Sequence, residues 1–254
     1  MMSLAGKPMR GMASSLFIWI VLLSFSACAS KATRVPPHLS TSFPPDALET
    51  GGEMSWRICR FKMSWPPGAG VDWAVDLMLG HSVVGPVLAE HGKKIPLWRF
   101  HRRALRDQSG HQFSFLFYSE SSVAADVVRS LRQNDILQQA IEQSIVEAVR
   151  FDDPDKPGSP KIAATSDPHW SPSIQRNWPS YIMGVSSLWL GLVDDAMAEA
   201  PAYDNDISGL LEQYRQAEVA IDAMWREEGQ HAFVHHLSAI FGYEPLLIRE
   251  EIRF

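Results

Sequence analysis

Two strand-like segments joined by a short polar turn set the expected fold: Leu97 to Arg106 (LWRFHRRALR) and Gln112 to Tyr118 (QFSFLFY). Between them, Asp107-Gln108-Ser109-Gly110 has the composition of a hairpin turn. Successive side chains of a strand point to opposite faces of a sheet. The first strand therefore presents Arg99, His101 and Arg103 on one face, and Trp98, Phe100 and Arg102 nearer the other.

The segments before and after this hairpin add a strand and two helices. Met54 to Trp65 alternates like a strand, and Val71 to Leu88 has the apolar spacing of a helix with a kink at Gly85-Pro86. Ser122 can cap a helix that runs toward Val149, with a break at Asn134-Asp135. The resulting order is β-α-β-β-α.

The C-terminal part is mainly helical. Trp178 to Ala200 carries a wide apolar face, and Asp206 can cap the next helix. After Gly242 the sequence alternates again, and a last strand there would complete the ferredoxin-like order β-α-β-β-α-β. The sequence thus predicts an α+β fold with a small antiparallel, ferredoxin-like sheet and a C-terminal helical region inserted before the last strand.

The first 27 residues have the layout of a secretory signal. Lys7 and Arg10 precede an apolar run, Leu16 to Leu23, which is too short to span a bilayer as a mature helix. The run ends in Phe25-Ser26-Ala27-Cys28, which resembles the lipobox of bacterial lipoproteins, with Phe25 where Leu is usual.

This resemblance implies that Cys28 is acylated and becomes the first mature residue. With Ala29 next, it also implies sorting to the periplasmic face of the outer membrane. An ordinary signal peptide cut at Ala27 or Ala29 is the alternative.

The domain organisation follows from composition. We expect a signal peptide over residues 1–27, a lipid-anchored flexible tether over 28–53, and one globular α+β domain over 54–254 with a Pro-rich loop at 152–172. Without residues 1–27 the chain loses two of its 23 basic residues and none of its 29 acidic ones, so its net charge is −8. That charge argues against a general nucleic-acid binder, and no nucleic-acid partner is expected.

A basic cluster on the hairpin is the first candidate site, because clustered arginines can bind phosphate or carboxylate. Its members are Arg99, His101, Arg102, Arg103 and Arg106, with His111 nearby. The alternative is that these side chains pair with the acidic helices of the protein itself.

The second candidate is Glu228-x-x-His231-x-x-x-His235, which falls within about 60° of arc on a continuous helix. The three side chains could ligate a metal or form an acid–base pair. The alternatives are a buried Glu–His pair, or a helix that ends at Gly229 and scatters them. At least two of the three are expected to be partly buried.

Two further features concern the loop and the second cysteine. Trp170 and Trp178 on the Pro-rich loop suggest binding, or else fold back onto the core. Cys59 lies in a mostly apolar alternating set, which favours a buried thiol over a reactive one.

Two functional hypotheses remain. The first is a lipid-anchored binding or scaffolding module of the bacterial cell envelope, attached to the membrane by its N-terminal lipid and with an envelope protein as partner. The second is an envelope-tethered metal-dependent hydrolase that uses Glu228, His231 and His235. The sequence has no Walker loop, no G-x-G-x-x-G and no H-E-x-x-H, and its G-x-S start at Gly184 lacks the second glycine of a nucleophile elbow. No catalytic residue or cofactor is therefore assigned.

Overall fold

The computed structural model describes residues 54–154, 156, 158–200 and 206–244. Within these ranges the strands are β1 (Ser55–Met63), β2 (Leu97–Ala104), β3 (His111–Ser119) and β4 (Val146–Phe151). The α-helices are α1 (Ala74–Met78), α2 (Gly85–His91), α3 (Ser121–Arg132), α4 (Asp135–Glu142), α5 (Pro172–Glu199), α6 (Ile207–Glu227) and α7 (His236–Ile240). The α+β class is confirmed.

The strands form one antiparallel sheet in the order β2-β3-β1-β4. The hairpin is confirmed, with Phe100 opposite Phe115 and Arg102 opposite Phe113. Helices and the phenylalanines of β1 and β3 fill one face of this sheet, where Phe61, Phe113 and Phe115 are fully buried. This face carries the main core.

The fourth strand is not where the sequence analysis placed it. Residues expected at the end of a long helix form β4, and they pair with β1 so that Phe61 lies opposite Val149. The predicted break at Asn134 is confirmed, since its side chain caps α4, and α4 then ends before Ser144, which has a positive φ of 58°. Val146 and Val149 suit helical spacing as well as a strand, so the sequence pattern was ambiguous.

The helical region therefore follows this four-stranded sheet instead of being inserted before its fourth strand. The strand predicted after Gly242 falls mainly on residues 245–254, which lie outside the described residues. The predicted helices at the C-terminal side are confirmed as α5 and α6, and Asp206 caps α6 by accepting a hydrogen bond from the Gly209 amide at 2.7 Å.

The irregularity expected at Gly85-Pro86 is also present. A π-helical segment, Leu79–Val84, separates α1 from α2. Pro86 has no amide hydrogen to donate to the carbonyl of Ser82 four residues earlier. That carbonyl instead accepts a hydrogen bond from the Asn134 side chain at 3.0 Å, which ties this helix to α4.

Helix α5 packs along β2 at the edge of the sheet. The Phe100 amide, on the side of β2 away from β3, donates to Ser186 Oγ at 3.1 Å. One turn further on, the Trp189 ring rests on Gly80, where an added Cβ would lie only 2.7 Å from the ring. This contact fixes Trp189 beside the first helix.

The Pro-rich loop is anchored to the sheet. The buried Arg57 guanidinium donates to the carbonyls of Asp153 and Pro154 and to Ser121 Oγ. On the opposite face of the sheet, Trp56 Nε1 donates to the Ile162 carbonyl at 2.9 Å. The loop therefore covers one end of that second face.

Candidate binding site

Strand alternation splits the predicted basic cluster between the two faces of the sheet, as expected. Arg102 lies on the face that the helices cover, near Trp73 and Trp189. Arg99 lies on the other face, where its Nη2 donates to the Thr165 carbonyl at 3.3 Å. The register places His101 and Arg103 on the same side as Arg99.

The structure adds three basic residues that the sequence analysis did not place in this site. His101 pairs with Ser114, Ser114 with Arg60, and Arg60 with Arg150, so the four side chains form one row across the sheet. The next row brings Arg103 and Lys62 onto either side of Gln112. We call this surface the basic face: Arg60, Lys62, Arg99, His101, Arg103 and Arg150.

The basic face is open to water beside the end that the loop covers. His101 and Arg150 are exposed, and the other four side chains are half-buried. Neighbouring protein atoms partly desolvate the His101 ring, and Arg99 and Arg103 repel a positive charge on it, so the pKa of His101 lies below its ordinary value and the neutral form prevails at pH 7.

Three carboxylates partly balance the basic face. Asp152 lies 3.4 Å from Arg60 and Glu147 lies 3.3 Å from Lys62. Asp107 accepts hydrogen bonds from Arg103 and from the Ser109 and Gly110 amides, which hold the pKa of its carboxyl well below the usual range. Five formal positive charges against three negative ones leave the surface cationic.

Arg106 belongs to neither face. Its guanidinium stacks on the Trp65 ring at 3.4 Å and donates to the carbonyls of Trp65, Pro66 and Ala69. Arg106 is therefore held by contacts within the protein, although its partners are carbonyl oxygens and an indole ring instead of the expected acidic helices. These contacts fix the hairpin turn to the end of β1.

Arg102 also meets groups of the protein itself. Its guanidinium carbon lies 4.8 Å from the centre of the Trp73 ring and 5.2 Å from that of Trp189. Its Nε faces Asp76 Oδ1 at 3.4 Å, a distance of ion pairing without a hydrogen bond. The second oxygen of Asp76 accepts a hydrogen bond from His111 Nε2 at 2.7 Å.

The Asp76–His111 pair is fully enclosed, with exposures of 0% and 1%. The rings of Trp65 and Trp73 pack edge-on against the imidazole. A buried carboxylate is stable only when it is paired, and here His111 and Arg102 provide the partners. The arrangement accounts for His111 as a structural residue that holds the hairpin against α1.

The proposed metal ligands are placed differently from the expectation. Glu228, His231 and His235 are all exposed, so the expected partial burial is wrong. Helix α6 ends at Glu227, and a π-helical segment, Gln230–His235, changes the spacing. The rings of His231, His235 and His236 lie about 5.2–5.4 Å apart, but among the described residues no three His, Cys, Asp or Glu side chains are arranged to hold a metal ion.

The remaining sequence predictions have separate outcomes. Cys59 is buried as predicted, and burial raises the pKa of its thiol far above the ordinary value. Trp170 and Trp178 are half-buried against each other, with ring centres 4.9 Å apart.

Cys28, the signal peptide and the tether lie outside the described residues. In the part of the chain that is described, no helix is both long and apolar enough to cross a membrane.

Comparisons with known proteins give no relative from which a role could be transferred. No protein-family model matches the chain, and no curated protein or solved structure matches it.

Proposed function

We propose that this protein is a lipid-anchored binding module of the bacterial cell envelope whose basic face contacts anionic lipid headgroups. The observation that carries the proposal is the juxtaposition of Arg60, Lys62, Arg103 and Arg150, around the neutral His101, on one open sheet surface. Without residues 1–27 the chain has a net charge of −8, so a cationic surface makes its charge distribution uneven. Such a molecule turns its cationic side toward a negatively charged partner.

Electrostatic attraction alone would be weak. Each Lys or Arg near an anionic membrane contributes about 1 kcal/mol, and the three carboxylates beside the basic face reduce that sum. Acylation of Cys28 would make this weak attraction sufficient, because it would hold the domain close to the membrane. Residues 29–53 as a flexible chain span about 25–30 Å. A domain held that near the bilayer meets headgroups at a high effective concentration, so weak contacts suffice.

We further propose that the sheet and its first helices form a ferredoxin-like unit. Support comes from the order β2-β3-β1-β4, with antiparallel neighbours throughout, and from a helical connection after β1 and again after β3. In such a unit the helices lie on one face, which leaves the other face available for contacts.

Vesicle binding tests the membrane contact. Residues 28–254 carrying Cys28→Ser, which removes the acylation site, would be sedimented with neutral phosphatidylcholine vesicles and with vesicles containing phosphatidylglycerol. We expect binding only to the anionic vesicles, at low salt, and its loss in the double variant Lys62→Gln/Arg150→Gln.

The matched control is Lys94→Gln/Arg129→Gln, which removes the same charges from exposed positions outside the basic face. Both doubles change the net charge equally, so only a local contact distinguishes them. Equal weakening by the two doubles would contradict the proposal, as would binding that ignores the headgroup charge.

The anchor has its own test. Mass spectrometry of the native N-terminus should show an acylated Cys28, and Cys28→Ser should leave an uncleaved precursor or a soluble product. An unmodified N-terminus at another residue would remove the tethering argument while leaving the vesicle result to stand alone.

A further inference from the structure

A cleft of about 300 Å³ lies on the opposite side of the sheet from the basic face. Four elements line it: α1 with the residue before it, β2, α5 and the second half of α6. The lining side chains are Trp73, Leu77, Arg102, Trp189, Glu218, Ile221 and Asp222. Its volume is at the small end of the range for ligand pockets, so it suits a ligand of about ten heavy atoms.

The charges around the cleft are mostly negative. Arg102 is already balanced by Asp76 and covered by two tryptophan rings. Asp222 pairs with Arg226 at 2.9 Å. Glu218 is half-buried and makes no hydrogen bond or ion pair with any other described residue.

The surroundings of Glu218 favour a positive partner. Its partial burial raises the pKa of the carboxyl, and Asp222, Asp72 and Asp76 add to this rise against the opposing effect of Arg102. Asp72 and Asp222 each have an arginine partner, Arg215 and Arg226, and Asp76 is paired with His111 and Arg102. An incoming cation would therefore pair with Glu218, whereas that carboxylate would repel an anion.

We propose that this cleft binds a small organic cation, with an ammonium group paired to Glu218 and an apolar or aromatic body against Trp73, Leu77 and Ile221. Tryptophan rings favour this class of ligand, because the negative face of the indole attracts a cation. Arg102 lies over the Trp73 and Trp189 rings, which shows that they accept a positive group. The site is separate from the basic face and does not depend on the membrane proposal.

Three ligands of similar shape test whether the cleft prefers a positive charge on its ligand. Benzylamine, benzyl alcohol and benzoate share a ring and differ in being cationic, neutral and anionic at pH 7. Isothermal titration of the full chain in a non-ionic detergent should give a dissociation constant of about 1 mM for benzylamine, which is ordinary for a ligand of this size. Benzyl alcohol should bind about tenfold more weakly, and benzoate not measurably.

Glu218→Gln locates the contact. This nearly isosteric change should weaken benzylamine binding about tenfold and leave benzyl alcohol unaffected. The control Glu227→Gln makes the same change on the same helix, nine residues on and half a turn away at 100° per residue. It should leave all three affinities unchanged.

Three results would overturn the proposal. Benzoate binding as tightly as benzylamine would make the cleft an Arg102 anion site. Equal binding of all three ligands would make it a non-selective apolar surface. Benzylamine binding that Glu218→Gln does not change would place the ammonium elsewhere. Melting curves of both variants would show that each is folded before its affinities are compared.

Discussion

Arg102 and Arg103 are neighbours on one strand, yet they serve opposite sides of the sheet. Arg102 pairs with Asp76, which is fully buried, and lies over two indole rings, whereas Arg103 pairs with Asp107, which is 47% exposed. The two arginine side chains are themselves similarly exposed, at 30% and 25%, so the contrast lies in their carboxylate partners. Buried charges interact strongly and are expensive to leave unpaired, while exposed pairs contribute little. The contrast shows that basic residues adjacent in sequence can be divided between a buried structural arrangement and an open surface.

Removal of the buried carboxylate of Asp76 should lower the stability of the protein more than any other change proposed here. Asp76→Asn leaves Arg102 without its counter-charge, and breaking a buried pair in this way costs about 3–5 kcal/mol. Thermal unfolding should show a fall in Tm of about 10 °C, since each kcal/mol shifts a domain of this size by about 2–4 °C. Asp107→Asn, the matching change on the surface, should move Tm by no more than about 2 °C; similar losses in both would show that Asp76 is not the buried anchor described.

Thiol reactivity provides a second contrast between the faces. Cys59 is buried on the helix-covered face, so in a Cys28→Ser background a thiol reagent should reach it only after local opening. An opening free energy near 3 kcal/mol slows labelling about a hundredfold relative to an exposed thiol. Arg150→Cys supplies that reference at an exposed position on the other face, and comparable rates at both positions would contradict the burial of Cys59.

The two arginines themselves give a smaller effect. Arg102→Met should cost about 1–3 kcal/mol, because Asp76 loses one of its two buried partners while the methionine keeps much of the apolar contact. Arg103→Met should cost less than about 0.5 kcal/mol, as is usual for exposed ion pairs. Urea unfolding of the two variants measures the difference directly, and a larger loss from Arg103→Met would reverse the assignment of the two faces.

The smallest predicted effect concerns Glu218. A carboxyl whose pKa is raised by folding favours the folded state when protonated, so its contribution to stability falls as pH rises from the ordinary value of 4.5 through the raised pKa. Glu218→Gln removes this penalty and should be slightly more stable than the parent at pH 7, by less than about 1 kcal/mol because water screens the partly exposed group. The advantage should disappear at pH 4, and a stability difference that does not vary with pH would contradict the raised pKa.

Local patterns predicted the sheet hairpin, the faces of β2, the burial of Cys59 and the helix break at Asn134. Each of these depends on residues close together in sequence. The cleft was not predicted, since Trp73, Arg102, Trp189 and Glu218 meet only through tertiary packing. The alternation of β1 places Arg60 and Lys62 on the face opposite its buried residues. Only the register of the strands shows that they lie on the same surface as His101.

The error over Glu228 and His235 has a related cause. The prediction assumed that the apolar face of α6 stays buried along its whole length, yet Trp225 is 61% exposed near its end. The C-terminal end of α6 extends beyond the part of the protein that the helix packs against. Apolar periodicity in the sequence does not show where that packing ends. The fourth strand was missed because its valines suit either a helix or a strand.

The hydroxyl of Ser186 has a consequence for association between molecules. An edge strand presents unpaired amides that can recruit a strand from another chain, the first step of fibril growth. On β2 the Phe100 amide is occupied by Ser186 Oγ, which also donates to the Ile182 carbonyl within α5. A helix packed along this edge thus takes the place of a neighbouring strand and keeps the hairpin from templating aggregation.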